Sequence, residues 1–166
     1  MKILLPESIV QKLTLALKKA DSREIGGILM GEHLSEGVFR VKELTIQEHE
    51  GTYFSFVRQL KNILNPLRLF FHKTGYNYKK SNYLGEWHSH PEFTPEPSNC
   101  DSETMWEIVN DPEVGANFVV LMIVRLNKIK HLEGTVSVYL PKNQRFKGEL
   151  IREEFDKKIG FYLNIH

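Results

Sequence analysis

Tyr83-Leu84-Gly85-Glu86-Trp87-His88-Ser89-His90-Pro91-Glu92-Phe93-Thr94-Pro95-Glu96-Pro97-Ser98-Asn99-Cys100-Asp101 passes from an apolar segment through a proline-rich one into a polar one. Residues 83–90 read as a strand carrying two histidines, two positions apart. Strand side chains alternate, so His88 and His90 point to the same side and can grip one ion together. Pro91, Pro95 and Pro97 exclude a regular helix and stiffen a loop. A helix restarts over 98–111, with Ser98 as a plausible N-cap, Asp101 in its first turn, and Met105, Ile108 and Val109 on its buried face. Asp101, arriving from this next element, completes a set of three metal-ligating side chains. Three protein ligands leave one position of a tetrahedral zinc open, the layout of a catalytic centre rather than a structural one.

Before this stretch, residues 7–20 have helical spacing, with Ile9, Leu13, Ala16/Leu17 and Ala20 on one face and Pro6 and Glu7 suited to a first turn. Residues 25–31 (Ile25-Gly26-Gly27-Ile28-Leu29-Met30-Gly31) predict a buried strand whose glycines admit another backbone or a ligand. Residues 37–48 alternate as a strand bent near Glu43, and 53–57 as another short strand. Residues 58–74 are helical with an interruption expected at Asn65-Pro66, and 75–82 form a loop. Beyond the helix of Ser98, strands are predicted over 117–126 and 133–140. The tail over 145–162 reads as partly helical, with Leu150, Ile151 and Phe155 facing the body. Strands interleaved with helices point to α/β or α+β, a sheet flanked by helices.

The chain has 166 residues, which suits one domain over 1–166. Its net charge of +1 gives no global attraction to nucleic acid or an anionic membrane. The early apolar run is too short for a signal peptide, and no run approaches a membrane span, so the expectation is a cytoplasmic protein. A single cysteine, Cys100, excludes a disulfide framework. Cys100 itself reads as a small buried residue, an extra ligand or a redox-sensitive thiol. His33, His49, His72, His131 and His166 read as ordinary surface or packing residues.

A hydrolytic zinc centre also needs a general base that is not a ligand, to move the second proton to a leaving amine. The candidates are Glu24, Glu86, Glu92 and Glu96. Glu86 shares the strand face of the histidines, Glu92 and Glu96 lie in the following loop, and Glu24 precedes the Gly-Gly strand. Local physics leaves the choice open. Ser98 is suited to cap its helix and to donate to a developing oxyanion on the rim of the site; the roles compete for one oxygen, although the hydroxyl can donate to substrate while accepting from a backbone N–H.

The set Glu24 … His88-Ser89-His90-Pro91-x6-Ser98-x2-Asp101 resembles the JAMM motif of the JAB/MPN metallopeptidase family. Glu24-Ile25-Gly26-Gly27-Ile28-Leu29-Met30-Gly31 is similar to the family segment that begins with its catalytic glutamate. The resemblance implies that His88, His90 and Asp101 bind Zn2+, that Glu24 is the general base and that Ser98 supports the tetrahedral intermediate. It implies an α/β fold with a central mixed β-sheet flanked by helices, of cytidine-deaminase-like architecture. It also implies hydrolysis of the amide or isopeptide bond after the C-terminal tail of a ubiquitin-like or conjugated protein. The short form and the Gly85-Glu86-Trp87-His88 run look most like bacterial JAB peptidases, which resemble those found beside E1- and E2-like enzymes in antiviral operons.

Eukaryotic deubiquitinases of the family carry two insertions that grip ubiquitin. Here only residues 58–82 offer material for the first, and the short run from the helix of Ser98 to the strand at Asn117 leaves little for the second. The rival from another class is a non-catalytic MPN-like scaffold, which would resemble this fold without intact ligands. An amidohydrolase barrel needs roughly 250 residues, and a structural zinc module would want a fourth protein ligand.

Overall fold

A computed structural model describes residues 1–48 and 60–153 of the chain. The strand expected over 53–57 lies outside the described residues, as do residues 58–59 of the expected helix and 154–162 of the tail. The elements, in order, are β1 (Lys2–Pro6), α1 (Glu7–Ala20), β2 (Ile25–Ser35), β3 (Val38–Leu44), β4 (Gln47–Glu48), α2 (Leu60–Lys73), β5 (Ser81–Ser89), α3 (Asn99–Asn110), β6 (Val119–Leu126), β7 (Leu132–Leu140), β8 (Gln144–Lys147) and β9 (Glu149–Glu153). The strands form one mixed sheet in the order β8-β7-β6-β5-β2-β3-β1-β9, with β4 paired to β2. This is the α/β architecture with a central mixed sheet that the resemblance implies. Among the described residues no helix is long and apolar enough to cross a membrane.

Helices cover both faces of the sheet, and the apolar strands read accordingly. In β6, Val120, Met122 and Val124 pack with Ile9, Leu13 and Leu17 of α1, whereas Val119, Leu121 and Ile123 pack with Met105, Ile108 and Val109 of α3. A strand buried on both faces cannot alternate with polar residues, which is why 119–124 is an unbroken apolar run. Ile28 and Met30 of β2 meet Phe70 of α2. Burying each such side chain contributes roughly 1.5–3 kcal/mol.

Two sequence expectations change and one element is new. The helix of 58–74 is not interrupted: Pro66 lies inside α2. A proline there forgoes one helical hydrogen bond, and the packing of Phe70 and Leu67 on the sheet offsets that loss. The first residues form a strand, β1, which pairs with β3 and β9 and buries Ile3 and Leu5. The tail is not helical over its described part. Gln144–Lys147 pairs with β7, and after Gly148 the same segment, as Glu149–Glu153, pairs with β1. One stretch of chain thus crosses from one edge of the sheet to the other, with Gly148 N–H donating to Val136 O and Glu149 N–H to Met1 O. Two strand edges with open backbone groups outweigh a weak helical pattern. The bend anticipated near Glu43 coincides with a register shift in the β2–β3 pairing, where Met30↔Glu43 is followed by Gly31↔Val41 and Lys42 is the extra residue.

Candidate metal centre

The centre lies at the carboxyl end of β5, where the chain leaves for the α3 crossover into parallel β6. Such ends leave backbone groups and loops free to build a site. Glycine makes the approach possible. The β2–β5 register shifts between Leu29↔Gly85 and Met30↔Tyr83, so Leu84 is an extra residue in β5. Gly85 takes φ 146°, and a β-carbon there would overlap the Val120 carbonyl. Beyond this bulge Trp87 faces the core beneath α1, and by strand alternation Glu86 and His88 face the side of α3.

His88 Nε2 lies 3.1 Å from His90 Nε2 and 3.6 Å from Asp101 Oδ1. The three ligand atoms are mutually within 4.8 Å. A tetrahedral zinc with bonds of about 2.0–2.1 Å requires ligand atoms roughly 3.3 Å apart, so the donor set fits that ion. His90 Nδ1 lies 3.1 Å from the Thr94 carbonyl. A carbonyl only accepts, so Nδ1 carries the hydrogen and Nε2 keeps its lone pair for a metal. His90 is one residue past β5, yet its N–H still donates to Val124 O and prolongs the ladder.

Asp101 is the third residue of α3 and closes a capping box with Ser98. Its Oδ2 accepts from Ser98 N–H (2.7 Å) and from the Ser98 hydroxyl (2.6 Å), while Asp101 N–H donates to Ser98 Oγ (3.1 Å). One carboxylate oxygen is held by the cap and the other, Oδ1, is turned to the imidazoles. Ser98 Oγ caps the helix as an acceptor, and its single proton is donated to Asp101 Oδ2, so an oxyanion would compete with that carboxylate for the proton and not with the cap.

The loop between the ligands is pinned residue by residue. Phe93 O accepts from Arg125, Thr94 O from His90, Pro95 O from the Thr135 hydroxyl, and the Glu96 carboxylate pairs with Lys147 at 3.1 Å. Arg125 in turn pairs with Glu133. Apart from His90, these anchors are not visible in the motif, since Arg125, Thr135 and Lys147 come from β6, β7 and β8.

The candidate bases fall into distinct settings. Glu96 is committed to Lys147, and Glu92 is exposed on the loop. Glu86 is buried beside the ligands; burial first, then the charge of Asp101, pushes its carboxyl up to about 7. Glu24 is exposed at the start of β2. It stands two residues before Gly26, the register partner of His88, and the N–H of the Glu24–Ile25 peptide donates to Ser89 Oγ at 3.0 Å. Gly27 accepts the close approach foreseen for it. A β-carbon there would overlap Thr45, whose hydroxyl accepts from Ile28 N–H and whose carbonyl accepts from Trp87 Nε1. Cys100 is outside the ligand cluster, and burial with Glu103, Asp101 and Glu107 nearby pushes its thiol up, away from a reactive thiolate.

The sequence model for prokaryotic homologs of the JAB domain matches residues 6–137, most of the chain and all of this centre. The chain belongs to this family. A relative from Enterobacter hormaechei subsp. hoffmannii (strain UCI 50), named a CD-NTase/cGAS isopeptidase, is 29% identical over 128 residues, 74% of this JAB homologue and 66% of the relative. The chain thus spans just under two thirds of that relative's length. The fold of the JAB homologue is similar to a solution structure from Desulfitobacterium hafniense, with TM-score 0.66, 18% identity and coverage of 94% and 96% of the two chains. A solution structure from Salinibacter ruber is similar at TM-score 0.54, 18% identity and 94% coverage of each.

Proposed function

We propose that this JAB homologue is a zinc-dependent isopeptidase that hydrolyses the amide bond after the C-terminal tail of a ubiquitin-like protein joined to another protein. The observation that carries this reading is the ligand set: two imidazole nitrogens and one carboxylate oxygen mutually within 4.8 Å. His88, His90 and Asp101 hold the zinc. When bound there, zinc lowers the pKa of a coordinated water toward about 7 and polarises the scissile carbonyl.

Glu24 is the general base in this reading. It takes the proton released on attack and returns it to the leaving lysine amine. Ser98 donates its hydroxyl to the oxyanion that develops on the carbonyl. Asp101 Oδ2 keeps the Ser98 N–H as a partner while the hydroxyl turns to the substrate. Glu86 remains a buried neighbour of the ligands, away from solvent.

The relative's name makes a CD-NTase/cGAS-type protein the conjugated partner to try, and the resemblance to JAB peptidases of antiviral operons makes E1- and E2-like enzymes the source of the conjugate. We assign the activity to a cytoplasmic protein in which residues 1–166 act as one domain and neither nucleic acid nor membrane is a partner.

The test is to incubate the purified full chain with an isopeptide-linked conjugate, with and without a chelator, and to read the product ends by mass spectrometry. Cleavage after the tail, lost on chelation and restored by zinc, is expected. Glu24→Gln should keep one zinc and lose roughly 10²- to 10⁴-fold in kcat. Cleavage indifferent to chelation, or Glu24→Gln turnover equal to wild type, would return the chain to a non-catalytic scaffold.

A further inference from the structure

Ser89 is the residue between the two histidine ligands, and it is fully buried at 0% exposure. It is not a ligand, because alternation along β5 turns it away from the face of His88 and His90. Its hydroxyl instead reaches sideways and accepts the Ile25 N–H at 3.0 Å, across 64 residues of sequence. That bond stands where the β2–β5 register ends, since the last paired residues are Gly26 and His88. On the other side, Ser89 is paired in register with Val124 of β6.

The consequence falls on Glu24. The Ile25 N–H belongs to the peptide group that begins at the Glu24 carbonyl carbon, so holding this N–H fixes the peptide plane from which the Glu24 side chain departs. Glu24 has no strand pairing of its own and is exposed. Ile25 is paired with Glu48 of β4 on its other side, so the Ser89 hydroxyl is what ties this peptide to the ligand strand beyond the last register pair at Gly26.

We propose that Ser89 is a positioning residue: its hydroxyl clamps the Glu24–Ile25 peptide to the ligand strand and so sets where the Glu24 carboxylate stands relative to His88 and His90. This inference rests on Glu24 being the general base, and its test separates the two. Ser89→Ala removes the acceptor, and Ser89→Thr retains it.

Amide hydrogen exchange at Ile25, which needs no activity, should quicken about 10-fold in Ser89→Ala and stay near wild type in Ser89→Thr. Adding Zn2+ should shift the Glu24 carboxylate carbon resonance in wild type and in Ser89→Thr, and much less in Ser89→Ala, with zinc stoichiometry unchanged. In the cleavage assay Ser89→Ala should lower kcat about 10- to 100-fold with KM little altered, and Ser89→Thr should restore it.

Unaltered Ile25 exchange in Ser89→Ala overturns the clamp, whatever the activity. Faster exchange with an unaltered Glu24 resonance shift reduces Ser89 to a structural residue and also overturns the proposal. Should Ser89→Ala not fold, Ser89→Cys, close in size but a poor acceptor, carries the same comparisons. A wild type that binds zinc but cleaves nothing would sink the peptidase reading, while the exchange and resonance measurements would still decide the clamp.

Discussion

Gly85 shows how much of the centre depends on an atom that is missing. At φ 146° it occupies a region that side chains rarely adopt, and the place of a β-carbon is taken by the Val120 carbonyl. Two costs therefore add in Gly85→Ala, backbone strain and overlap with backbone that cannot move aside. The expected loss is about 3 kcal/mol or more, read by urea unfolding. A small loss would mean that the bulge at Leu84 tolerates a side chain and does not depend on glycine. Gly27 is a second such position, filled by Thr45 rather than by a ligand. Gly27 stood out in the sequence as a place of close approach and Gly85 did not, and neither neighbour was visible, because Thr45 and Val120 are distant in the chain.

The loop over 91–97 is an element without regular hydrogen bonds, and its order comes from side chains of other strands. Arg125 holds Phe93 O and the Thr135 hydroxyl holds Pro95 O, on either side of the Thr94 carbonyl that orients His90. Arg125→Ala together with Thr135→Val should therefore weaken zinc binding by roughly 10- to 100-fold, the usual effect of losing support behind a histidine ligand. Competition against a fluorescent chelator measures it. The Arg125–Glu133 pair is partly exposed and contributes at most about 1 kcal/mol, so the fold should survive the change. Unchanged zinc affinity would mean that the prolines and the Glu96–Lys147 pair hold the loop without these two anchors. The helix that follows was legible because capping is local chemistry: Ser98 and Asp101 lie three residues apart and satisfy each other.

Taken together, the sheet is held at its edge by its last described strand as well as by its central ones. Removing residues 149–166 takes away β9, bares the edge of β1 and uncovers the side of the core where Leu150 packs. Cooperative thermal unfolding followed by circular dichroism should then be lost, and a sharp transition at the wild-type temperature would contradict a closing role for this segment. Zinc acts on the same equilibrium from the other side. At a free concentration about 100 times Kd it should stabilise the fold by about 2.7 kcal/mol and raise Tm by about 5–10 °C. His88→Ala should abolish that rise, because it removes the ligand shared by both close contacts in the cluster.

The helices α1 and α3, strand β6 and the juxtaposition of His88 with His90 were readable along the chain, because each depends on spacing, capping or alternation within about a dozen residues. Glu24 was reached only through family resemblance, since nothing local relates it to histidines 64 residues away. The parts decided in three dimensions were those that need a distant partner. Pro66 stays in a helix because Phe70 and Leu67 pack beneath it. The tail becomes strand because β7 and β1 offer unpaired edges. Ser89 reaches Ile25, and Arg125 and Thr135 reach the loop, by hydrogen bonds between segments far apart in sequence. Local patterns record a residue's own preferences, whereas a backbone group seeking a partner is satisfied by whatever the folded sheet brings beside it.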